Sequence, residues 1–194
     1  MKEGAMKKTK TVEAVLGVTG SIAAYKAAEL VRLMIKAGWT VQVVMTEAAT
    51  RFVTPLTFRT LSRNPVGVNA LDEPEEWMPG HVSLAERADI IVVAPCTANV
   101  LAKLAHGLAD DLLTATVLAS RAPLLIAPAM NTGMWEHPAT QANLATVRAR
   151  GAGIVEAATG ELACGTTGPG RMAEPEAVLE AARRMLGHGK HGQS

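Results

Sequence analysis

Aromatic side chains are scarce in this sequence, at 3% of 194 residues. That leaves few platforms on which nucleic-acid bases could stack. An excess of one charge is missing too: the net charge is +1, and the basic residues are scattered rather than gathered into a patch. Neither a nucleic acid nor an anionic membrane surface is therefore an expected partner. No apolar run is long enough to span a bilayer, and the opening MKEGAMKKTK has none of the apolar stretch of a signal peptide. A soluble, cytoplasmic protein is the expectation. Cysteine is nearly absent. Cys96 and Cys164 have no metal-ligand spacing and no secretory context to favour a disulfide. No metal is expected, and each thiol stands only as a candidate reactive group.

Alanine, valine, leucine and glycine abound instead. The length fits one compact domain with a proper core, expected over 11–187. The Lys-rich stretch 1–10 and the tail 188–194, which holds His188 and His191, read as disordered and solvated. Short apolar runs rich in Val and Ile alternate with longer amphipathic stretches. Strands are expected at 11–19, 40–46, 88–95, 123–128 and 153–157. Helices are expected at 23–38, near 48–53, and at 97–107, 110–120, 138–151 and 175–186. Uninterrupted apolar strands alternating with helices indicate an α/β fold, a three-layer, doubly wound parallel sheet of the Rossmann or flavodoxin-like kind. Residues 62–81 read as a long irregular connection, suited to covering a substrate or meeting a second subunit.

Ligands on such sheets bind at the carboxyl ends of the strands. The distinctive segments all fall there, at 19–22, 46–52, 95–99, 128–135 and 157–173. VTGSIAAYKA (18–27) is a strand, a tight Gly turn and a helix start. Its backbone N–H groups and the Ser21 hydroxyl can cradle a phosphate, or Ser21 can simply cap the helix. It is neither a GxGxxG fingerprint nor a Walker A loop. Thr46 offers a second hydroxyl to the same phosphate, or an ordinary N-cap. APCTAN (94–99) brings small polar residues and Asn99, which allow close approach of a planar ligand. His81 follows Pro79–Gly80 and reads as structural or catalytic. His106 sits at a helix carboxyl end, and His137 reads as a surface cap. APAMNTGMW (127–135) places Asn131 among methionines where a buried strand hands over to a turn. The Gly-rich GELACGTTGPGRMAEP (160–175) reads as a flexible loop able to fold over a site. Its Cys164, with an ordinary thiol pKa near ~8.5, can donate a proton.

GSIAAYKA, APCTAN, APAMNTGMW and ACGTTGPGRM, in that order, resemble the signature segments of the homo-oligomeric flavin-containing cysteine decarboxylases, and among them the phosphopantothenoylcysteine decarboxylases. The resemblance runs from about residue 12 to 186. It departs from the family at PCTANV, where the usual segment is PASANT; Thr97 keeps a hydroxyl, and Cys96 stands near the flavin environment. The resemblance implies FMN along the strand ends, with its phosphate held by Gly20, Ser21, Ile22 and Thr46. Thr97, Ala98 and Asn99 would support the ribityl chain and ring. It makes His81 the active-site histidine, which orients the substrate or assists thiol deprotonation. Asn131 would hold the substrate carboxylate, and Cys164 would supply a proton. Met130 and Met134 would pack near ring and substrate, or serve the core.

The implied reaction converts 4′-phosphopantothenoylcysteine to 4′-phosphopantetheine in coenzyme A biosynthesis. The CH₂–SH unit is transiently oxidised to a thioaldehyde, CO₂ leaves to give an enethiolate, and re-reduction restores a saturated product, with FMN as the electron sink. The family further implies a homotrimer, or trimers packed into a dodecamer, with the flavin between subunits. A phosphopantothenate–cysteine ligase, fused or separate, would supply the substrate. Two alternatives are a peptidyl-cysteine decarboxylase of lantibiotic-type precursors and a non-catalytic flavoprotein subunit. A flavin prenyl transferase would lack both the PAMN segment and the cysteine of the Gly-rich loop.

Overall fold

The seven residues IIVVAPC, at Ile90–Cys96, are all buried, as a strand covered on both faces must be. In the computed structural model, residues 11–69, 80–161 and 167–188 are described. In chain order the elements begin with β1 (Glu13–Val18), α1 (Ala24–Lys36), β2 (Thr40–Met45), a 3-10 helix (Glu47–Arg51), α2 (Pro55–Ser62) and β3 (Val66–Gly67). They continue with α3 (Gly80–Arg87), β4 (Ile90–Cys96), α4 (Ala98–His106), α5 (Leu112–Ala119), β5 (Leu124–Pro128) and α6 (Thr132–Glu136). The last are α7 (Pro138–Ala149), β6 (Gly153–Ile154), β7 (Ala158–Glu161), β8 (Thr167–Arg171) and α8 (Pro175–His188).

Strands β3-β2-β1-β4-β5-β6 form one sheet in that order, and every pairing is parallel. Alternation along each strand divides the core in two. Leu16, Val43 and Val92 pack toward α1 and α8. Val15, Val44, Ile91 and Val93 pack toward α4, α5 and α7. This is the three-layer, doubly wound α/β architecture. From β1 the chain proceeds outward to β2 and β3, then returns to lay β4 on the other side of β1. The order therefore reverses between β1 and β4, and the crevice at such a switch point is where ligands bind on open parallel sheets.

Several sequence expectations need correction. The interval 62–81 is less irregular than its composition reads: Ser62 closes α2, Val66–Gly67 pairs with β2, and α3 begins at Gly80; residues 70–79 lie outside the described residues. The segment 157–173 contains an antiparallel pair, β7 with β8, so much of the expected flexible loop is a hairpin. The apolar run 153–157 makes only a two-residue edge strand. Helix α8 reaches His188, while residues 1–10 and 189–194, expected to be disordered, lie outside the described residues. Among the described residues, no helix is long and apolar enough to cross a membrane.

Candidate functional site

A cleft of about 640 Å³ opens at the carboxyl ends of β1, β2, β4 and β5. Its first wall is the turn after β1. Ser21 N–H donates to the Thr19 carbonyl at 2.8 Å, and Ser21 Oγ accepts from Ala23 N–H at 3.2 Å. The serine thus closes its own turn; Ala23, with no side-chain bond, is the N-cap of α1. Gly20 is required by packing: a Cβ there would lie 2.6 Å from the Ala48 Cβ. The turn after β2 supplies Thr46, whose backbone N–H donates to Val18 carbonyl at 3.0 Å. Its side chain does not cap the following 3-10 helix. The Thr46 Oγ1 is buried and has no hydrogen-bond partner among the described residues. A buried hydroxyl of this kind calls for a partner from outside these residues, a ligand or a bound water.

The opposite wall begins at Thr97, the N-cap of α4, whose Oγ1 accepts the Val100 N–H at 3.3 Å. Ala98 and Asn99 follow on the first turn and line the cleft with it. Their helix start favours negative charge. Farther along, Lys103 reaches Asp110 at 2.7 Å and Asp111 at 3.2 Å. The hydrogen bond to Asp110 holds the lysine above its ordinary pKa, against the opposing effect of burial. The same bond holds the Asp110 carboxyl below its ordinary value. Asp111 also caps α5, its Oδ1 accepting the Thr114 N–H at 2.8 Å. These three charged residues line the cleft, and the sequence reading missed them because seven or eight positions separate the lysine from its acids.

Met130 and Met134 line the cleft as expected; Met134 is exposed rather than part of the core. Asn131 is the N-cap of α6, and its Oδ1 accepts the Gly133 N–H at 2.8 Å. The adjoining backbone is pinned to the hairpin: Met130 N–H donates to Gly170 carbonyl at 2.9 Å, and Thr132 Oγ1 donates to Pro169 carbonyl at 2.9 Å. Gly170, at φ +120°, leaves no room for a Cβ, which would meet the Met130 carbonyl oxygen.

Three expected site residues do not line this cleft. Asn131 follows the lining residue Met130 without lining the cleft itself. Ile22 stands exposed after the first turn. His81, on the first turn of α3, has its Nδ1 buried with no partner among the described residues. Cys164 falls outside the described residues. Cys96 faces the core, not the cleft; burial pushes its thiol up to about 12, so it carries no thiolate at neutral pH. His106 closes α4, and His137 caps α7 by accepting the Ala139 N–H at Nδ1.

The chain matches the Flavoprotein family model over residues 2–187, and it belongs to that family. It is 47% identical over 169 residues to the coenzyme A biosynthesis bifunctional protein CoaBC of Bacillus subtilis (strain 168); the aligned part is 87% of this chain and 42% of that protein. The chain therefore spans less than half the length of this curated relative. Among solved structures, it is similar to a PPC decarboxylase mutant complexed with pantothenoylaminoethenethiol, at a TM-score of 0.81 and 30% identity, covering 92% of this chain and 100% of that one. It is likewise similar to the FMN-dependent cysteine decarboxylase SpaF, at a TM-score of 0.74 and 35% identity, covering 88% and 97%.

Proposed function

We propose that this chain binds FMN in the cleft and decarboxylates 4′-phosphopantothenoylcysteine to 4′-phosphopantetheine, a step of coenzyme A biosynthesis. The observation that carries this reading is the buried Thr46 hydroxyl, without a partner among the described residues, in a cleft that Gly20 and Ser21 also line. Hydroxyls, a tight glycine turn and helix starts suit a phosphate without a fixed cation. The residues present thus fit a flavin phosphate, and Thr97, Ala98 and Asn99 would support the rest of the group. When bound, FMN supplies a reversible two-electron sink.

The chain's own residues do the remaining work. Because Oδ1 of Asn131 is taken by the Gly133 N–H, the carboxamide is oriented with Nδ2 as its donor end. A neutral donor holds the substrate carboxylate without the ground-state grip of a full counter-charge, which would slow its departure. The Nδ1 of His81, with no hydrogen-bond partner among the described residues, can orient the substrate thiol or take its proton. Cys164 supplies the proton that completes the saturated product.

The assembly we propose is a homotrimer, or trimers packed into a dodecamer, in which a second copy closes the open cleft. Ile22, Tyr25 and Leu56 are large apolar side chains left more than half exposed, the kind of surface that another protein covers. A phosphopantothenate–cysteine ligase, fused or separate, would supply the substrate; the bifunctional relatives' extra length supports that arrangement. The test is the visible spectrum of the purified protein followed by incubation with 4′-phosphopantothenoylcysteine beside a peptide ending in cysteine. Flavin absorbance and CO₂ release from the first substrate alone are expected. A colourless protein that refuses added FMN overturns the cofactor reading; turnover of the peptide alone moves the chain to the peptidyl-cysteine decarboxylases.

A further inference from the structure

Two buried threonines stand at neighbouring strand ends and differ in one respect. Thr46 Oγ1 has no partner among the described residues, whereas both functions of the Thr19 hydroxyl are in use. Thr19 is fully buried. Its Oγ1–H donates to the Pro95 carbonyl at 2.7 Å, and the same oxygen accepts the Thr97 N–H at 3.0 Å. Its own carbonyl accepts the Ser21 N–H at 2.8 Å. One residue therefore shapes the Gly20–Ser21 turn through its main chain and fixes the start of α4 through its side chain. It bridges the reversal point of the sheet, between β1 and β4, and does not itself line the cleft.

From this geometry we infer that Thr19 is a positioning residue for FMN: its hydroxyl sets the spacing between the Gly20–Ser21 turn and the Thr97–Asn99 turn. The inference rests on the flavin reading above. Parallel strands β1 and β4 are joined through main-chain bonds from Ala14 to Gly17 and pair no further toward the cleft. Beyond that point the two turns are free to separate unless something crosses between them. Among the described residues the Thr19 hydroxyl makes such a crossing, and it uses donor and acceptor together, which a valine of the same shape cannot do. Its loss also strands the Pro95 carbonyl and the Thr97 N–H, each of which must then seek water or shift. Either response moves the first turn of α4 relative to the phosphate turn.

The experiment strips the full-length protein of flavin and titrates it with FMN, following flavin fluorescence and the visible circular dichroism of the bound ring. Thr19→Val is expected to weaken FMN binding by at least tenfold and to alter the dichroism at saturating FMN. Thr19→Ser, which keeps the hydroxyl, is expected to restore both. If Thr19→Val unfolds, Thr19→Ser still decides: wild-type affinity and spectrum are expected, and a tenfold loss there would transfer the role to the methyl group and overturn the inference. A Thr19→Val protein that melts at a lower temperature yet binds FMN with unchanged affinity and spectrum makes Thr19 merely structural, and overturns it as well. If the wild-type chain itself fails to take up FMN, the flavin reading falls and this inference with it; wild-type binding matched by Thr19→Val overturns the inference alone.

Discussion

Asn131 Oδ1 accepts the Gly133 N–H at 2.8 Å and caps α6, so the oxygen end of its carboxamide serves the fold. Substitution Asn131→Asp keeps an oxygen in the capping position, and caps favour aspartate as much as asparagine. The fold is therefore expected to survive. The other end changes from a neutral donor to part of an anion, which would repel the carboxylate of the proposed substrate. Turnover is expected to fall on the order of 100-fold or more, as when a single carboxylate or oxyanion donor is removed. Circular dichroism and melting close to wild type, beside lost CO₂ release, give the expected pattern. Near-normal turnover would remove Asn131 from carboxylate binding.

Gly20→Ala tests the cradle from the other wall. The added Cβ would sit 2.6 Å from the Ala48 Cβ, inside any tolerated contact, so the Gly20–Ser21 turn and the turn carrying Ala48 must part. Both turns line the cleft. The variant is expected to purify with little or no bound flavin, measured as the ratio of flavin to protein absorbance. Replacing Ala48 by glycine in the same chain removes the colliding Cβ and is expected to restore part of the flavin content.

The three-layer architecture could be read from the chain because parallel strands buried on both faces leave uninterrupted runs such as ADIIVVAP, and helices such as α1 and α4 between them are amphipathic. The cleft's position followed from the sheet rule, and eight expected site residues gather in it: Gly20, Ser21, Thr46, Thr97, Ala98, Asn99, Met130 and Met134. What escaped was decided at longer range. The β7–β8 hairpin has glycine and proline where apolar alternation would have announced strands, since its β8 packs by close backbone approach to Met130 and Thr132. Lys103 meets Asp110 and Asp111 only after the chain turns at Gly107, which caps α4 at φ +70°. Thr19 reads as one more residue of a strand, because a bridge to Pro95 and Thr97 spans more than seventy positions.

The two cysteines should part company chemically. Cys96 is fully buried and its thiol is pushed up to about 12 by that burial, so a thiol reagent applied to the native protein at pH 8 should leave it unlabelled. In Cys164→Ser, labelling is expected only after denaturation. If Cys164 gives the proton proposed for it, Cys164→Ser should still release CO₂ but accumulate the oxidised enethiol. Mass spectrometry detects that species directly, and a saturated product formed at the wild-type rate would take Cys164 out of the reaction.

Lys26 is a buried lysine whose Nζ donates to the Met172 carbonyl and to Glu174 Oε1, each at 3.0 Å. It ties α1, which follows the Gly20–Ser21 turn, to the segment leaving β8. The hydrogen bond from Lys26 is the main cause holding the Glu174 carboxyl below its ordinary value of 4.5, helped by nearby positive charge and opposed by burial. A depressed carboxylate stabilises the fold above its unfolded pKa, and that contribution is lost as pH falls through the lower, folded value. Glu174→Gln keeps an acceptor but removes the charge. Since Glu174 is more than half exposed, the expected loss at pH 7 is modest, about 1 kcal/mol. In urea titrations the gap between wild type and Glu174→Gln should be largest at neutral pH. It should narrow below pH 4.5 as the wild-type carboxyl itself becomes neutral. A gap that stays constant across that range would show that the charge on Glu174 contributes nothing to the tie.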